Sequence, residues 1–259
     1  MLVKVDSKAL EWRVKVFLSQ DKVALNEIYE GIDIHAESQK AFKLPDRLTA
    51  KKTNFRMIFA DAYSDQKFAR PAYAYANDYE YRHVSSSIKF WERVVEAFFQ
   101  KYEGMYQHGQ NLIRQVHETG RIVNPTGRIY EFYHKVNKKG EPELPRTLIL
   151  NYPVQGLAAE LMAILRTVYR KRLILEKYDL DNKVLLMNTV HDDVQTDVDN
   201  DPKLIYNICI LLEELSKELP MYFEKIFGEK FNVPLEGEVT YGPNLASMIE
   251  FNMNEKIKI

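Results

Sequence analysis

Asp192 and Asp193 stand where an apolar run ends and an alternating run begins, in Lys183-Val184-Leu185-Leu186-Met187-Asn188-Thr189-Val190-His191-Asp192-Asp193-Val194-Gln195-Thr196-Asp197-Val198. Beyond the pair, Val194, Thr196 and Val198 fall on one face and Gln195 and Asp197 on the other, the alternation of a half-buried strand. Two strands meeting at His191-Asp192-Asp193 make a hairpin with carboxylates at its tip. Paired acids there are costly unless a cation or a basic group lies between them. Asp is also an ordinary turn residue, so an acidic β-turn accounts for the pair taken alone. A further carboxylate, Asp6, ends the short strand Leu2-Val3-Lys4-Val5-Asp6 and precedes a helix with the stripe Leu10, Val14, Phe17, Leu18. By itself Asp6 reads as a helix N-cap. Set beside the hairpin tip, it gives two carboxylates from separate strands. Such hard oxygen donors suit a pair of divalent ions about 3.5–4 Å apart that clamp a phosphoryl group.

Phosphate chemistry also needs fixed cations. Arg47, Lys51, Phe55 and Phe59 recur every four residues and form one drifting stripe about 18 Å long on a helix. Arg47 and Lys51 suit a polyphosphate, and Phe55 and Phe59 offer flat surfaces to a sugar and a base. An amphipathic helix with two core aromatics and two solvated cations has the same periodicity.

Other elements must hold these parts. Between Ile88 and Glu118 the pattern is helical, with Trp91, Val94, Val95, Phe98, Phe99 and Tyr102 on a broad apolar side. The stretch Tyr73 to Tyr81 has the aromatics to stack bases, but packing is the reading taken for it. Leu157 to Leu175 is helical, with Asn151 and Gln155 near its start, and breaks fall at Gly120 to Gly127 and Gly140 to Pro145. No internal repeat appears. A chain of 259 residues suggests about two domains. Its 46% hydrophobic and 28% charged residues describe a soluble globular protein. The single cysteine, Cys209, excludes an internal disulfide and sits in an apolar run as a core residue. No stretch reads as long and apolar enough to span a membrane, and there is no signal-peptide pattern, so a cytoplasmic protein with no membrane partner is expected. A net charge of −1 is poor for gripping a duplex unaided. Basic residues are instead local, at Lys135, Lys138, Lys139, Arg146, Arg166, Arg170, Lys171 and Arg172.

In this order the segments resemble family A DNA polymerases, the group that includes bacterial DNA polymerase I and many phage replicases. Asp6-Ser7-Lys8-Ala9-Leu10-Glu11-Trp12-Arg13 is similar to motif A, the run from Arg47 through Lys51 and Phe55 to Phe59-Ala60 to motif B, and Val190-His191-Asp192-Asp193 to motif C. Asp33-Ile34-His35, Thr126-Gly127-Arg128, Asn151-Tyr152-Pro153-Val154-Gln155-Gly156-Leu157-Ala158-Ala159-Glu160 and Val233-Pro234-Leu235-Glu236-Gly237-Glu238 resemble further family blocks, the last of them the final palm strand. The departures are Phe59-Ala60 for Tyr-Gly, Ser7-Lys8 for Tyr-Ser, and Asp193 for Glu.

The resemblance implies an α+β fold: an antiparallel palm sheet with packed helices and an inserted, mainly helical fingers domain. Residues 1–20 and 146–259 would be palm, with the motif C hairpin near 184–198. Residues 21–145 would be fingers, with the motif B helix near 47–60. It implies template-directed addition of dNTPs to a primer 3′-OH, with Asp6 and Asp192 holding two Mg²⁺ ions, or Mn²⁺ in their place, and Asp193 as a secondary carboxylate. Lys51 would contact the α-phosphate and protonate the leaving group, and Arg47 and His35 would bind the outer phosphates. Glu11 would exclude a ribose 2′-hydroxyl, Phe55 would pack on the sugar and Phe59 beside the base. Asn151, Gln155, His191 and Arg146 would touch primer-template DNA.

Family members carry a thumb, and usually a 3′–5′ exonuclease domain, before motif A. Their absence here implies the catalytic half of a split viral polymerase in the host cytoplasm. A separate chain would supply the thumb, the first palm strands and the exonuclease, joining along a sheet edge left open beside residues 1 to 6. Two other classes fit parts of the pattern, a non-catalytic DNA-binding or assembly module and a single-subunit RNA polymerase-like enzyme.

Overall fold

The structure, a computed structural model, describes residues 1–59, 69–136, 140–178 and 180–257. The chain begins β1 (Leu2–Ser7), α1 (Leu10–Ser19), α2 (Lys22–Tyr29), α3 (Ile34–Phe42), α4 (Arg47–Phe59), α5 (Ala69–Asn77), α6 (Ile88–Lys101) and α7 (Glu103–Thr119). Short strands β2 (Arg121–Val123), β3 (Ile129–Glu131), β4 (Lys135–Val136) and β5 (Pro142–Glu143) follow. Then come α8 (Arg146–Leu175), β6 (Val184–Val190), β7 (Asp193–Val198), α9 (Pro202–Phe227), β8 (Gly237–Gly242) and β9 (Ile249–Glu250). The fold is α+β with an antiparallel sheet, as the resemblance implies. Contacts divide it into two compact units, residues 1–13 with 156–259, and residues 14–155.

The first unit is built on a five-stranded sheet ordered β6-β7-β1-β8-β9. Alternation does the work in β1: Val3 and Val5 are fully buried while Lys4 and Asp6 share the other face. Val194, Thr196 and Val198 are buried, as their alternation predicts. Under that face lies α9, which carries buried Ile205, Ile208, Cys209, Leu212 and Leu215. At Gly237 a Cβ would meet Ser216 Oγ and Val5 Cγ2 at 2.5 Å, so the close approach of β8 requires glycine. Tyr169 on α8 donates its hydroxyl hydrogen to Thr196 Oγ1 of β7 at 3.1 Å.

The sheet corrects one expectation directly. β1 has no open edge, because it pairs antiparallel with β7 on one side and β8 on the other. No partner strand can be added beside residues 1 to 6. The outer strands of this sheet are β6 and β9. The strand expected over Val233 to Glu238 is β8, which starts only at Gly237, after most of that block has passed.

The second unit packs helices around aromatic side chains. Tyr75 stacks on Trp91 with ring centroids 4.7 Å apart, and Tyr81 meets Trp91 edge-on. In the tyrosine-rich stretch, Tyr75 and Tyr81 are therefore core, whereas Tyr73 and Tyr79 are exposed. The helical pattern from Ile88 breaks at Tyr102, whose φ of −108° and ψ of 60° separate α6 from α7. Tyr102 is buried and donates to Glu27 Oε2 at 2.8 Å, so a tertiary hydrogen bond fixes the break. The β2–β3 hairpin brings Ile122 and Phe132 against Leu112, Val116 and Ile149.

α8 begins at Arg146, not Leu157, and runs through Pro153, so Asn151 and Gln155 lie inside it. A proline removes one helical hydrogen bond. Here Ile149, Leu150, Val154, Leu157, Leu161 and Leu165 keep one face buried across the defect. α8 also overturns the reading that no stretch is long and apolar enough to cross a membrane: by length and composition it is. More than half of that apolar stretch is buried inside the protein. Arg166, Arg170 and Lys171 are exposed on the same helix, the pattern of an amphipathic core helix.

Candidate active site

On the first unit, strand register assembles the acids. Asp6 lies within β1, opposite Asp193 of β7 and Glu238 of β8, so it is a strand residue and not the N-cap of α1. β6 and β7 form the hairpin that the sequence suggests, and His191 takes a left-handed φ of 53° at its tip. The backbone N–H of Ser7 donates to the Asp192 carbonyl at 2.8 Å, which fastens that tip to the end of β1.

The carboxylates of this region act on one another's charge. The Asp6 carboxyl is pushed up by burial and then by Asp192; Lys4 draws it down, while Asp193 and Glu238 add to the rise. Glu11, at the start of α1, is raised by burial and by Asp192 and lowered by His191. Asp6, Asp192, Asp193, Glu11 and His191 are therefore one neighbourhood. Asp193 is held on both oxygens: Gln195 Nε2 donates to Oδ1 at 3.0 Å, and Lys4 Nζ lies 3.4 Å from Oδ2.

Among the described residues, no three His, Cys, Asp or Glu side chains converge as a complete metal cage. Mg²⁺ commonly takes one or two carboxylates and completes its shell with water and substrate phosphate oxygens. Asp6 and Asp192 fit that chemistry, because they are hard, mutually repelling oxygen donors in a half-buried place.

On the second unit, α4 presents Arg47 and Lys51 to solvent and keeps Phe55 half-buried, while Ala50, Thr53, Asn54, Met57 and Ile58 face inward. Arg47 Nε donates to Asp33 Oδ2 at 2.6 Å. Asp33 also caps α3, accepting from the backbone N–H groups of His35 and Ala36. Burial would raise the Asp33 carboxyl, but the Arg47 hydrogen bond and the backbone donors outweigh it and hold it low.

His35 is buried, 6% exposed, with its ring 5.7 Å from that of Phe55. Its Nδ1 lies 3.2 Å from the Asn54 side-chain amide nitrogen. Burial, then Arg47, pushes the His35 pKa from its ordinary 6.5 down to about 4. A lowered histidine pKa stabilises the fold fully above 6.5, and that contribution is lost as the pH falls towards about 4. Melting temperature should therefore drop across this window by the equivalent of roughly 2 kcal/mol. In a pH series, His35→Asn should flatten the slope; an equal slope would mean that His35 does not titrate there.

Phe59 ends α4, and its side chain, like Ala60, lies outside the described residues. Asn151 carries a buried Oδ1 with no hydrogen-bond partner, Gln155 is exposed and Arg146 is half-buried, all on α8. Sequence reasoning missed Lys4, Gln195, Asn54 and the tie between Asp33 and Arg47. Lys4 carried a usable signal, since it stands two residues before Asp6 and so on the same strand face.

The family model for DNA polymerase family A matches residues 1–247. This chain belongs to DNA polymerase family A. DNA polymerase I of Lactococcus lactis subsp. lactis is 26% identical over 211 residues, covering 76% of this chain and 22% of that protein. The DNA polymerase of Mycobacterium phage L5 is 30% identical over 128 residues, covering 49% of this chain and 19% of that protein. The chain thus spans about a fifth of the length of these relatives. The polymerase domain of Pol1 from M. smegmatis, solved in complex with DNA primer-template and dNTP, has the same fold. Its TM-score is 0.71 at 20% identity, covering 93% of this chain and 39% of that one.

Proposed function

We propose that this chain carries the nucleotide-adding part of a DNA polymerase, extending a primer 3′-OH with dNTPs under the direction of a template. The observation that carries this reading is the nearness of Asp6, on its strand, to Asp192 at the hairpin tip that Ser7 fastens to that strand, where burial and the Asp192 charge raise the Asp6 carboxyl. Asp6 and Asp192 hold divalent metal, two Mg²⁺ ions or Mn²⁺ in their place. When bound, these supply charge neutralisation to the triphosphate and acidify the attacking hydroxyl. Residues 1–20 and 146–259 act as palm and residues 21–145 as fingers.

Arg47 binds the outer phosphates through its fork of donors, exchanging its Asp33 partner for phosphate oxygen. Lys51, exposed one turn farther along α4, contacts the α-phosphate and gives a proton to the departing pyrophosphate. His35 is neutral, so it offers phosphate an N–H and no charge. Phe55 lies under the sugar, Phe59 beside the base, and Asn151, Gln155, His191 and Arg146 track the primer-template.

Sugar choice rests on Glu11 and Phe55. Phe55 has no hydroxyl to stand in for a missing 3′-OH, so dideoxynucleotides should be poor substrates. Phe55→Tyr should improve their use by about tenfold, the worth of one hydrogen bond. Glu11→Ala should admit ribonucleotides or stall on them. Competition assays with dNTPs, ddNTPs and rNTPs measure both ratios. If neither changes, these residues do not line the sugar site; if wild-type protein prefers rNTPs, the enzyme is an RNA polymerase.

A further protein partner holds the primer-template while this chain adds nucleotides. The low net charge supports this, because little electrostatic attraction is left to hold DNA unaided. The purified chain should extend primers weakly alone and strongly once the partner is added. Processive synthesis by the chain as a stable monomer would overturn the need for a partner.

A further inference from the structure

Lys4 and Asp6 project from the same face of β1, opposite buried Val3 and Val5. The Lys4 ammonium lies between two acids, 3.6 Å from Asp6 Oδ2 and 3.4 Å from Asp193 Oδ2. It is not a solvated surface charge, since its side chain is only 25% exposed. Asp193 is more enclosed still, at 14%, whereas Asp6 keeps 40%. With Gln195 on the other oxygen, Asp193 has both acceptors occupied inside the protein. Asp6 meets Lys4 from the more open side.

We propose that Lys4 is a positioning residue that serves as the built-in counter-ion of the carboxylate cluster, tying Asp193 out of the metal-ligand set and making divalent ions compete with its own ammonium at Asp6. The proposal rests on the assignment of Asp6 and Asp192 as metal ligands. Three carboxylates meet at the β1–β7 end of the sheet, and without a cation their repulsion destabilises the metal-free chain. Lys4 relieves that repulsion internally. The same positive charge repels an arriving divalent ion, so Lys4 trades metal affinity for stability of the empty site.

The test titrates Mn²⁺ into the full chain without DNA or nucleotide, following free Mn²⁺ by its electron paramagnetic resonance signal. Lys4→Met keeps the length of the side chain and removes its charge. It should tighten Mn²⁺ binding roughly three- to tenfold, as expected for losing one part-screened charge near the ion. It should also lower the melting temperature in EDTA, with the deficit shrinking in saturating Mn²⁺. Lys4→Arg should match wild type in both measurements. If Lys4→Met does not fold, Lys4→Gln carries the same expectations.

Unchanged or weaker Mn²⁺ binding by the uncharged variant overturns the proposal. So does a Lys4→Arg chain that shifts as far as Lys4→Met, because shape and not charge would then be acting. Asp6→Asn and Asp192→Asn separate the two levels of the claim. If wild-type Mn²⁺ affinity survives both, the metal assignment has failed and Lys4's role falls with it. If both lose the ion while Lys4→Met binds like wild type, only the role of Lys4 fails.

Discussion

Asp6→Asn and Asp192→Asn should each reduce primer extension by roughly a thousandfold or more while leaving the chain folded. Asparagine keeps the shape of aspartate and removes the charge that a divalent ion needs. The fold should not suffer at Asp6. Burial and the neighbouring Asp192 raise the Asp6 carboxyl, so its ionised form works against folding of the metal-free chain. The sign follows from linkage: a raised carboxyl binds its proton more tightly when folded, so it costs stability once the pH exceeds its folded value. Asp6→Asn removes that cost, and its melting temperature in EDTA at neutral pH should equal or exceed that of wild type.

Asp193→Asn should affect extension less, because Lys4 and Gln195 already occupy Asp193. Primer extension in Mg²⁺, paired with thermal melts in EDTA, measures both effects. Near-wild-type incorporation by Asp6→Asn or Asp192→Asn would remove these residues from the chemistry.

Lys51→Ala should lower the incorporation rate by about 10²–10⁴-fold, the range for losing a positioned general acid. Lys51 is exposed on α4, so its removal should leave the melting temperature near wild type. Arg47→Ala should instead act mainly through a raised KM for dNTP. Arg47→Lys should rescue it poorly, since a point charge does not replace a fork of donors. Asp33→Asn separates the two duties of Asp33. Asparagine still caps α3, but its weaker hold on Arg47 frees the guanidinium for phosphate, so the KM for dNTP should fall. Steady-state kinetics on a short primer-template resolve the two parameters. A Lys51→Ala enzyme with wild-type kcat would rule out its proton-donor role.

How much of this was legible beforehand depends on the distance over which each feature is decided. The β6–β7 hairpin and α4 could be read from periodicity, because their hydrogen bonds and side-chain faces are set by residues within a few positions. The inward set Val194, Thr196 and Val198 follows from alternation alone, and Cys209 as a core residue follows from its apolar run. The order of the motifs along the chain pointed to the family, which the match over residues 1–247 bears out.

The neighbours of β1 could not be read in this way. Strand pairing is non-local: Asp6 meets Asp193 and Glu238 in register across most of the length of the chain. No short stretch of sequence states that order, so residues 1 to 6 looked like an edge and are in fact the middle of the sheet. The same reason hid the break at Tyr102, which is imposed by distant Glu27, and the burial that keeps His35 neutral. It also hid the partners of two charged groups that the sequence displayed plainly. Arg47 is held by Asp33 from another helix, and Lys4 by Asp193 from another strand. Local pattern determined which residues could do chemistry; tertiary packing decided which charges meet, because only the folded backbone brings them within the few ångströms over which such charges act strongly.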